Sequence, residues 1–187
     1  MEGMITRQIS NQNGLSLVEL LITISLLVVI LSLGFLYLGF GVQAFEEGER
    51  RAIAQQAVRT TSDFITDELR FAKQIEINPV GGLTEAGFRY FFLRDGSIIF
   101  KSDDLYQPER ILADSLADAM IYNIVFTSNV PDDVVIFTIT ADNDLYEITT
   151  RVQALNVGLF REFSYALYGR LIQVNAGDNT IIKYRKP

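Results

Sequence analysis

Few side chains in this sequence can do covalent or metal chemistry. None of the 187 residues is His, Cys or Trp. A Ser-His-Asp triad, a thiolate nucleophile and a zinc site built on Cys or His are therefore all excluded. Carboxylates remain. Two acidic stretches, Asp132-Asp133 and Asp142-Asn143-Asp144, carry the hard oxygen ligands that Ca²⁺ takes. An EF-hand loop starting at Asp142 needs an oxygen-bearing side chain at its fifth position and Gly at its sixth; Tyr146 and Glu147 stand there, so that motif fails. Asp and Asn are favoured in hairpin turns by their own side-chain to backbone bonds, which accounts for the same residues without a metal. Asp132, Asp133, Asp142 and Asp144 are kept as weak calcium candidates; no metal, cofactor or catalytic residue is assigned. Lys183, Arg185 and Lys186 form a basic cluster at the end of the chain, read as a solvated tail. With 23 acidic against 16 basic residues the formal charge is −7, the wrong field for a general nucleic-acid binder.

One carboxylate stands apart. Residues 15–45, LSLVELLITISLLVVILSLGFLYLGFGVQAF, contain a single charge, Glu19. About 20 apolar residues suffice to cross a bilayer as a helix. A soluble core helix is rarely apolar on every face over such a length. A cleaved secretory signal has a basic n-region, an apolar run of about 7–15 residues and small residues after it. Here the apolar run is about twice that length, the leading 13 residues carry only Glu2 and Arg7, and no Ala-x-Ala follows. A small residue, Gly14, precedes the run instead, which suggests cutting on the cytoplasmic side with the anchor left in the product.

Gly14-Leu15-Ser16-Leu17-Val18-Glu19-Leu20-Leu21 resembles the class III signal of type IV pilins and pseudopilins. The resemblance implies cleavage after Gly14 by prepilin peptidase, N-methylation of Leu15, and an assembly role for Glu19 at the fifth mature position. It implies no enzymatic activity. Other pilin or pseudopilin subunits and an inner-membrane assembly platform are the expected partners, in a pilus, a type II secretion or a competence filament. The chain would be a single-pass protein of the cytoplasmic membrane with an extracytoplasmic head. A carboxylate in hydrocarbon is costly unless paired. Glu19 either snorkels to the interface or neutralises the Leu15 amine of a neighbouring subunit, favouring one axial register. The proline common in major pilins beyond the membrane midpoint is missing, since the first proline is Pro79. Gly34, Gly39 and Gly41 are candidates to soften the helix instead. Residues 67–75 resemble the LR-x-A-x-x-I segment of J-type and W-type minor subunits. The alternative class is a membrane-tethered extracytoplasmic binding protein acting as a single subunit; no residue pattern argues for it, and Gly14–Leu15 cleavage separates the two.

The elements that must position these residues follow from periodicity. Residues 46–77 hold seven acidic and five basic residues. Ile53, Ala57, Val58, Phe64, Ile65, Leu69, Ala72 and Ile75 recur at helical spacing, so an amphipathic helix half is expected. Its charges read as a solvated face, with Glu46–Arg50 and Glu47–Arg51 as i,i+4 pairs. Asn78-Pro79 and Gly81-Gly82 should end it, giving a helix of about 90 Å from residue 16 to 77. Beyond residue 83 the period becomes two. Strands are expected at 88–93 and 98–101, joined by an Asp95-Gly96 turn, then at 110–113, 122–127, 134–140 and 145–154. A hairpin turn is placed at 141–144. A third hairpin is expected between 168–174 and 180–184, while 160–167 is ambiguous. The organisation expected is a leader over 1–14, a transmembrane helix half over 15–45, an amphipathic half over 46–77 and a β-rich head over 78–187. The fold class is α+β: a long N-terminal helix packed on an antiparallel sheet.

Overall fold

A computed structural model describes residues 16–80, 82–104, 106–129, 133–142, 145–157, 172–174 and 177–187. The chain divides into two compact units, Met1–Glu47 and Gly48–Pro187.

In the first unit the described chain is helical. Helix α1 spans Leu17–Arg70. It is long and apolar enough to cross a membrane. Its residues are exposed from Leu17 through Ala52, large aliphatic and aromatic side chains included. A core helix would have buried them. Thr23, Ser25 and Ser32 donate their hydroxyls to the carbonyls of Glu19 (2.8 Å), Leu21 (2.8 Å) and Val28 (2.7 Å). Each hydroxyl is thus satisfied inside the helix.

In the second unit the remainder of α1 presents a buried stripe of Ala54, Val58, Thr61, Ser62, Ile65 and Leu69. The spacing of three and four is that of one helix face. Two of the six are hydroxyl residues, which apolar periodicity does not pick out. Thr61 donates to the Leu112 carbonyl at 3.3 Å, and the Ser62 and Thr150 hydroxyls lie 2.9 Å apart. Ile53, Ala57 and Phe64 pack beside the stripe, half-buried.

Among the described residues, nine strands form two sheets. They are β1 Gln74–Ile77, β2 Arg89–Arg94, β3 Ser97–Lys101, β4 Arg110–Ala113, β5 Tyr122–Asn129, β6 Val134–Ala141, β7 Tyr146–Gln153, β8 Ile172–Val174 and β9 Ile181–Arg185. The larger sheet has the order β4-β3-β2-β9-β1-β8; the smaller is the meander β5-β6-β7. All neighbours are antiparallel except β1 and β8, which run parallel with Ile75 opposite Ile172 and Ile77 opposite Val174. The α+β class stands, with two sheets where one was expected.

Several elements follow from local chemistry. Asp95 (φ 50°) and Gly96 (φ 72°) both occupy the left-handed region that a two-residue I′ turn demands, so β2 and β3 close as a hairpin with Arg94 opposite Ser97. Strand β4 falls on the expected residues. A short helix α2, Ser115–Asp118, is capped by Asp114, whose carboxylate accepts from the Leu116 and Ala117 amides.

Two expectations are corrected. Helix α1 ends at Arg70, and residues 74–77 are strand β1. Ile75 is buried either way, so hydrophobicity does not choose. The backbone does: β1 pairs with β9 on one side and β8 on the other, and Asn78 at φ 52° donates to the Ile181 carbonyl at 2.8 Å. Among the described residues, 172–174 and 181–185 do not form the expected third hairpin. Strands β8 and β9 are not neighbours, because β1 lies between them. Residues 158–171, including the ambiguous 160–167, lie outside the described residues.

Alternation in β2 sorts side chains to two faces. Phe91 points into the core cluster with α1, stacked on Tyr184 (centroids 5.4 Å, 9°) and edge-on to Phe64 (6.0 Å). Tyr90 and Phe92 point the other way, into a smaller cluster with Phe88 and Ile99 that is flanked by Leu83 and Ile181.

Candidate functional site

The residues singled out for processing precede α1 in sequence. Gly14 and Leu15 are outside the described residues. Glu19 stands in the first turn of α1, and its Oε2 accepts the Ser16 amide at 3.3 Å. The Ser16 carbonyl accepts the Leu20 amide at 3.1 Å, which makes Ser16 the residue flanking the first turn. Sequence reading passed over Ser16. The signal was available in the spacing Ser16-x-x-Glu19, which is that of a capping box.

Of the calcium candidates, Asp133 and Asp142 are among the described residues. Asp132 and Asp144 lie outside the described residues. The Asp142 carboxylate pairs with the Arg50 guanidinium, and its amide donates to the Ile121 carbonyl at 2.8 Å. Arg50 thus reaches a strand turn in the head, where an intrahelical pair had been expected. The Asp133 carbonyl accepts the Ala154 amide at 3.1 Å. Among the described residues no group of three carboxylates is placed to hold a metal ion.

The basic cluster at the chain end is not a solvated tail. Lys183 sits in β9, between β2 and β1 in the larger sheet, and is 7% exposed. Its Nζ lies 2.5 Å from Glu76 Oε2 and 2.9 Å from Glu85 Oε2, and 4.8 Å above the Phe88 ring. Burial alone would push the Lys183 amine down; the hydrogen bonds it donates to the Glu76 and Glu85 carboxylates outweigh this and hold the amine above its ordinary value. The Arg185 guanidinium also lies over Phe88, at 5.6 Å.

Lys186 belongs to a second network, centred on Glu68 near the end of α1. Glu68 accepts Arg89 Nη1 (3.0 Å) and the Tyr184 hydroxyl (2.6 Å) at Oε2, and Lys186 Nζ (2.8 Å) at Oε1. Arg89 Nε reaches Asp103 at 3.0 Å as well. Burial pushes the Glu68 carboxyl up, but hydrogen bonds from Lys186, Tyr184 and Arg89 more than reverse this and leave it below its ordinary value. Tyr184 is pushed up by burial and by its bond to that carboxylate. The network ties the last turn of α1 to β2 and β9. Residues so distant in sequence give no local signal, and reading the helix charges as a solvated face missed Glu68.

Glu68, Lys183 and their partners are thus fully engaged in holding helix to sheet and loop to sheet. What remains with a chemical identity is the N-terminal segment. Residues 9–35 match the model of the prokaryotic N-terminal methylation motif. No curated protein and no solved structure matches the chain. The motif implies processing by prepilin peptidase and assembly with other pilin subunits in general, and with the apolar, exposed α1 it is consistent with membrane anchoring. It points to a structural protein and supports a type IV pilin-like identity for the chain.

Proposed function

We propose that the chain is a minor pilin or pseudopilin, a structural subunit of a type IV filament system. The observation that carries this reading is the methylation motif over residues 9–35, placed at the head of a helix whose side chains are exposed and uncharged from Leu20 through Phe45. Prepilin peptidase removes residues 1–14 and methylates the Leu15 amine. The chain then sits in the cytoplasmic membrane as a single-pass protein with its head outside, until the assembly platform moves it into a filament. There Glu19 neutralises the Leu15 amine of a neighbouring subunit, since each charge would be costly alone in a dry contact. Within the filament we favour a low-abundance initiating or tip position over the bulk subunit, on the resemblance of residues 67–75 to minor subunits and on the large β-rich head.

Mass spectrometry of the membrane-extracted protein tests this. The expected chain begins at N-methylated Leu15. An intact Met1 on the membrane-extracted chain refutes the reading and leaves the tethered single-subunit alternative. Gly14→Val should leave the precursor uncut, because the peptidase has to bring the backbone close to its site and a branched side chain obstructs that approach.

A further inference from the structure

We propose that the head carries two complementary surfaces, an acidic aliphatic platform at the Arg50 end of α1 and a basic aromatic surface at the Arg70 end, and that the platform of one copy seats on the Arg70 end of a second copy of this chain. The contact rests on the filament reading above, because the two copies have to be displaced from one another along α1.

The platform stands on a hydrogen-bonded base. Ser115 donates its hydroxyl to the Asp95 carbonyl (2.8 Å) and its amide to Ser97 Oγ (3.0 Å), which ties α2 to the β2–β3 turn. The Tyr122 amide donates to the Gly96 carbonyl at 2.8 Å, and the Ile121 carbonyl takes the Asp142 amide. A Cβ on Gly96 would stand 3.2 Å from Ile121 Cγ2, so the turn lies directly against the start of β5. On this base Leu116 is 92% and Ile121 64% exposed. Exposed apolar residues rimmed by polar ones mark interaction sites. The rim here is acidic: Asp114 and Asp118 flank Leu116, Asp95 stands on the adjoining turn, and Asp142 lies beside Ile121. Burial and the bond to Asp118 push the Tyr122 hydroxyl up, and the charges of Asp118, Asp114 and Asp142 add to this, which places all three within electrostatic reach of one another's surroundings. Arg50 pairs with Asp142; among the described residues no cation pairs with Asp95, Asp114 or Asp118.

The Arg70 end has the opposite sign. Phe71 and Leu155 are exposed there, and Asn156 Nδ2 donates to the Phe71 carbonyl at 2.9 Å, which holds the two segments together. Arg70 precedes Phe71, and the Lys73 amide donates to the Arg185 carbonyl at 2.8 Å, which brings the basic end of the chain alongside. The nearby Glu68 is already spent on Arg89, Tyr184 and Lys186. Arg50, which reaches the platform through Asp142, and Arg70 are about 30 Å apart along α1. The two surfaces therefore differ in chemistry and stand at different ends of the head. Contact between them is heterologous, repeating along α1 where a two-fold pair would close on itself. Seating Leu116 and Ile121 against Phe71 and Leu155 sets the acidic rim against Arg70 and Lys73. Opposite charges around an apolar centre fix the orientation and penalise the meeting of two platforms. A run of two copies suits a low-abundance position as well as a long run suits a bulk one.

The chain has no cysteine, so introduced cysteines report on the contact without background. Full-length Leu116→Cys and Phe71→Cys chains are expressed together in the native host and oxidised, and the linked peptides are identified by mass spectrometry. The 116-to-71 adduct should form. The 116-to-116 and 71-to-71 adducts should stay at the level given by Arg151→Cys, an exposed position on β7. Asp95→Lys on the first chain, or Arg70→Glu on the second, should lower the 116-to-71 yield about threefold, the worth of an exposed charge pair; the two changes together should recover the loss. A 116-to-71 yield no higher than the Arg151→Cys level overturns the proposal. So does a 116-to-116 adduct of equal yield, or capture of Leu116→Cys by a different subunit alone. The adduct decides the contact and the first residue of the chain decides the filament: cutting before Leu15 without the adduct sinks the contact and leaves the filament reading, whereas an uncut chain sinks the filament reading whichever adduct forms.

Discussion

Replacing Glu68 by alanine removes the carboxylate on which three donors from β2, β9 and the chain end converge. The Glu68 side chain is 14% exposed, and Tyr184 is fully buried. Leaving the Tyr184 hydroxyl without its acceptor costs about 1–3 kcal/mol. Removing one partner of a fully buried ion pair costs about 3–5 kcal/mol. Arg89 and Lys186 keep 25% and 27% of their side-chain surface in water, so solvent recovers much of that second cost. Together these give a loss of about 3 kcal/mol. For a domain of this size the melting temperature moves about 3–5 °C per kcal/mol, so Tm should fall about 10 °C. Glu68→Gln keeps an acceptor and should fall less. The pH dependence separates charge from packing. The folded carboxyl titrates below its ordinary value of 4.5. Its contribution is therefore fully present above the unfolded value and is lost as pH falls through the lower folded one. The difference between parent and Glu68→Gln should shrink over that window. Differential scanning calorimetry of residues 46–187 at neutral pH and in steps below pH 4.5 provides the measurement. A Glu68→Ala shift under about 2 °C, or a parent-to-Gln difference that does not change below pH 4.5, refutes the account of Glu68 as the tie between helix and sheet.

The chain from Glu46 onward should be soluble and monodisperse in size-exclusion chromatography, because the buried stripe of α1 still finds its sheets; aggregation would mean that the boundary is misplaced or that the head needs a partner subunit. Phe91→Ala should destabilise that fragment by about 3–5 kcal/mol in a urea titration, the cost of a large cavity among Phe64, Phe100 and Tyr184. Glu19→Ala should leave the amount of processed protein in the membrane unchanged while cross-links to other filament subunits fall, an orphaned buried amine costing about 3–5 kcal/mol. Glu19→Gln should be intermediate, and normal cross-linking in Glu19→Ala would show that the carboxylate merely snorkels.

What could be read from the sequence is what neighbours along the chain decide. The apolar run over residues 15–45 predicts a long helix, which α1 is from Leu17 onward, and the methylation motif over residues 9–35 is read from the chain alone. Asp95-Gly96 is a hairpin because both residues tolerate positive φ, and the strands on either side inherit their register from that turn. Strands β5 to β7 follow from alternation along each of them. Tertiary structure decided the rest. Residues 74–77 satisfy helical and strand patterns equally, and only β8 and β9, about a hundred residues later, supply the backbone partners that make them a strand. Once β1 occupies the place beside β9, no hairpin with β8 can form there. Thr61 and Ser62 face the core because Leu112 and Thr150 meet them, and Glu68, Lys183 and Lys186 are ion-paired because residues far away in sequence complete their shells. Local chemistry fixes turns, caps and periodicity; the pairing of buried polar groups depends on which distant residue arrives, and a sequence read along its length does not carry that information.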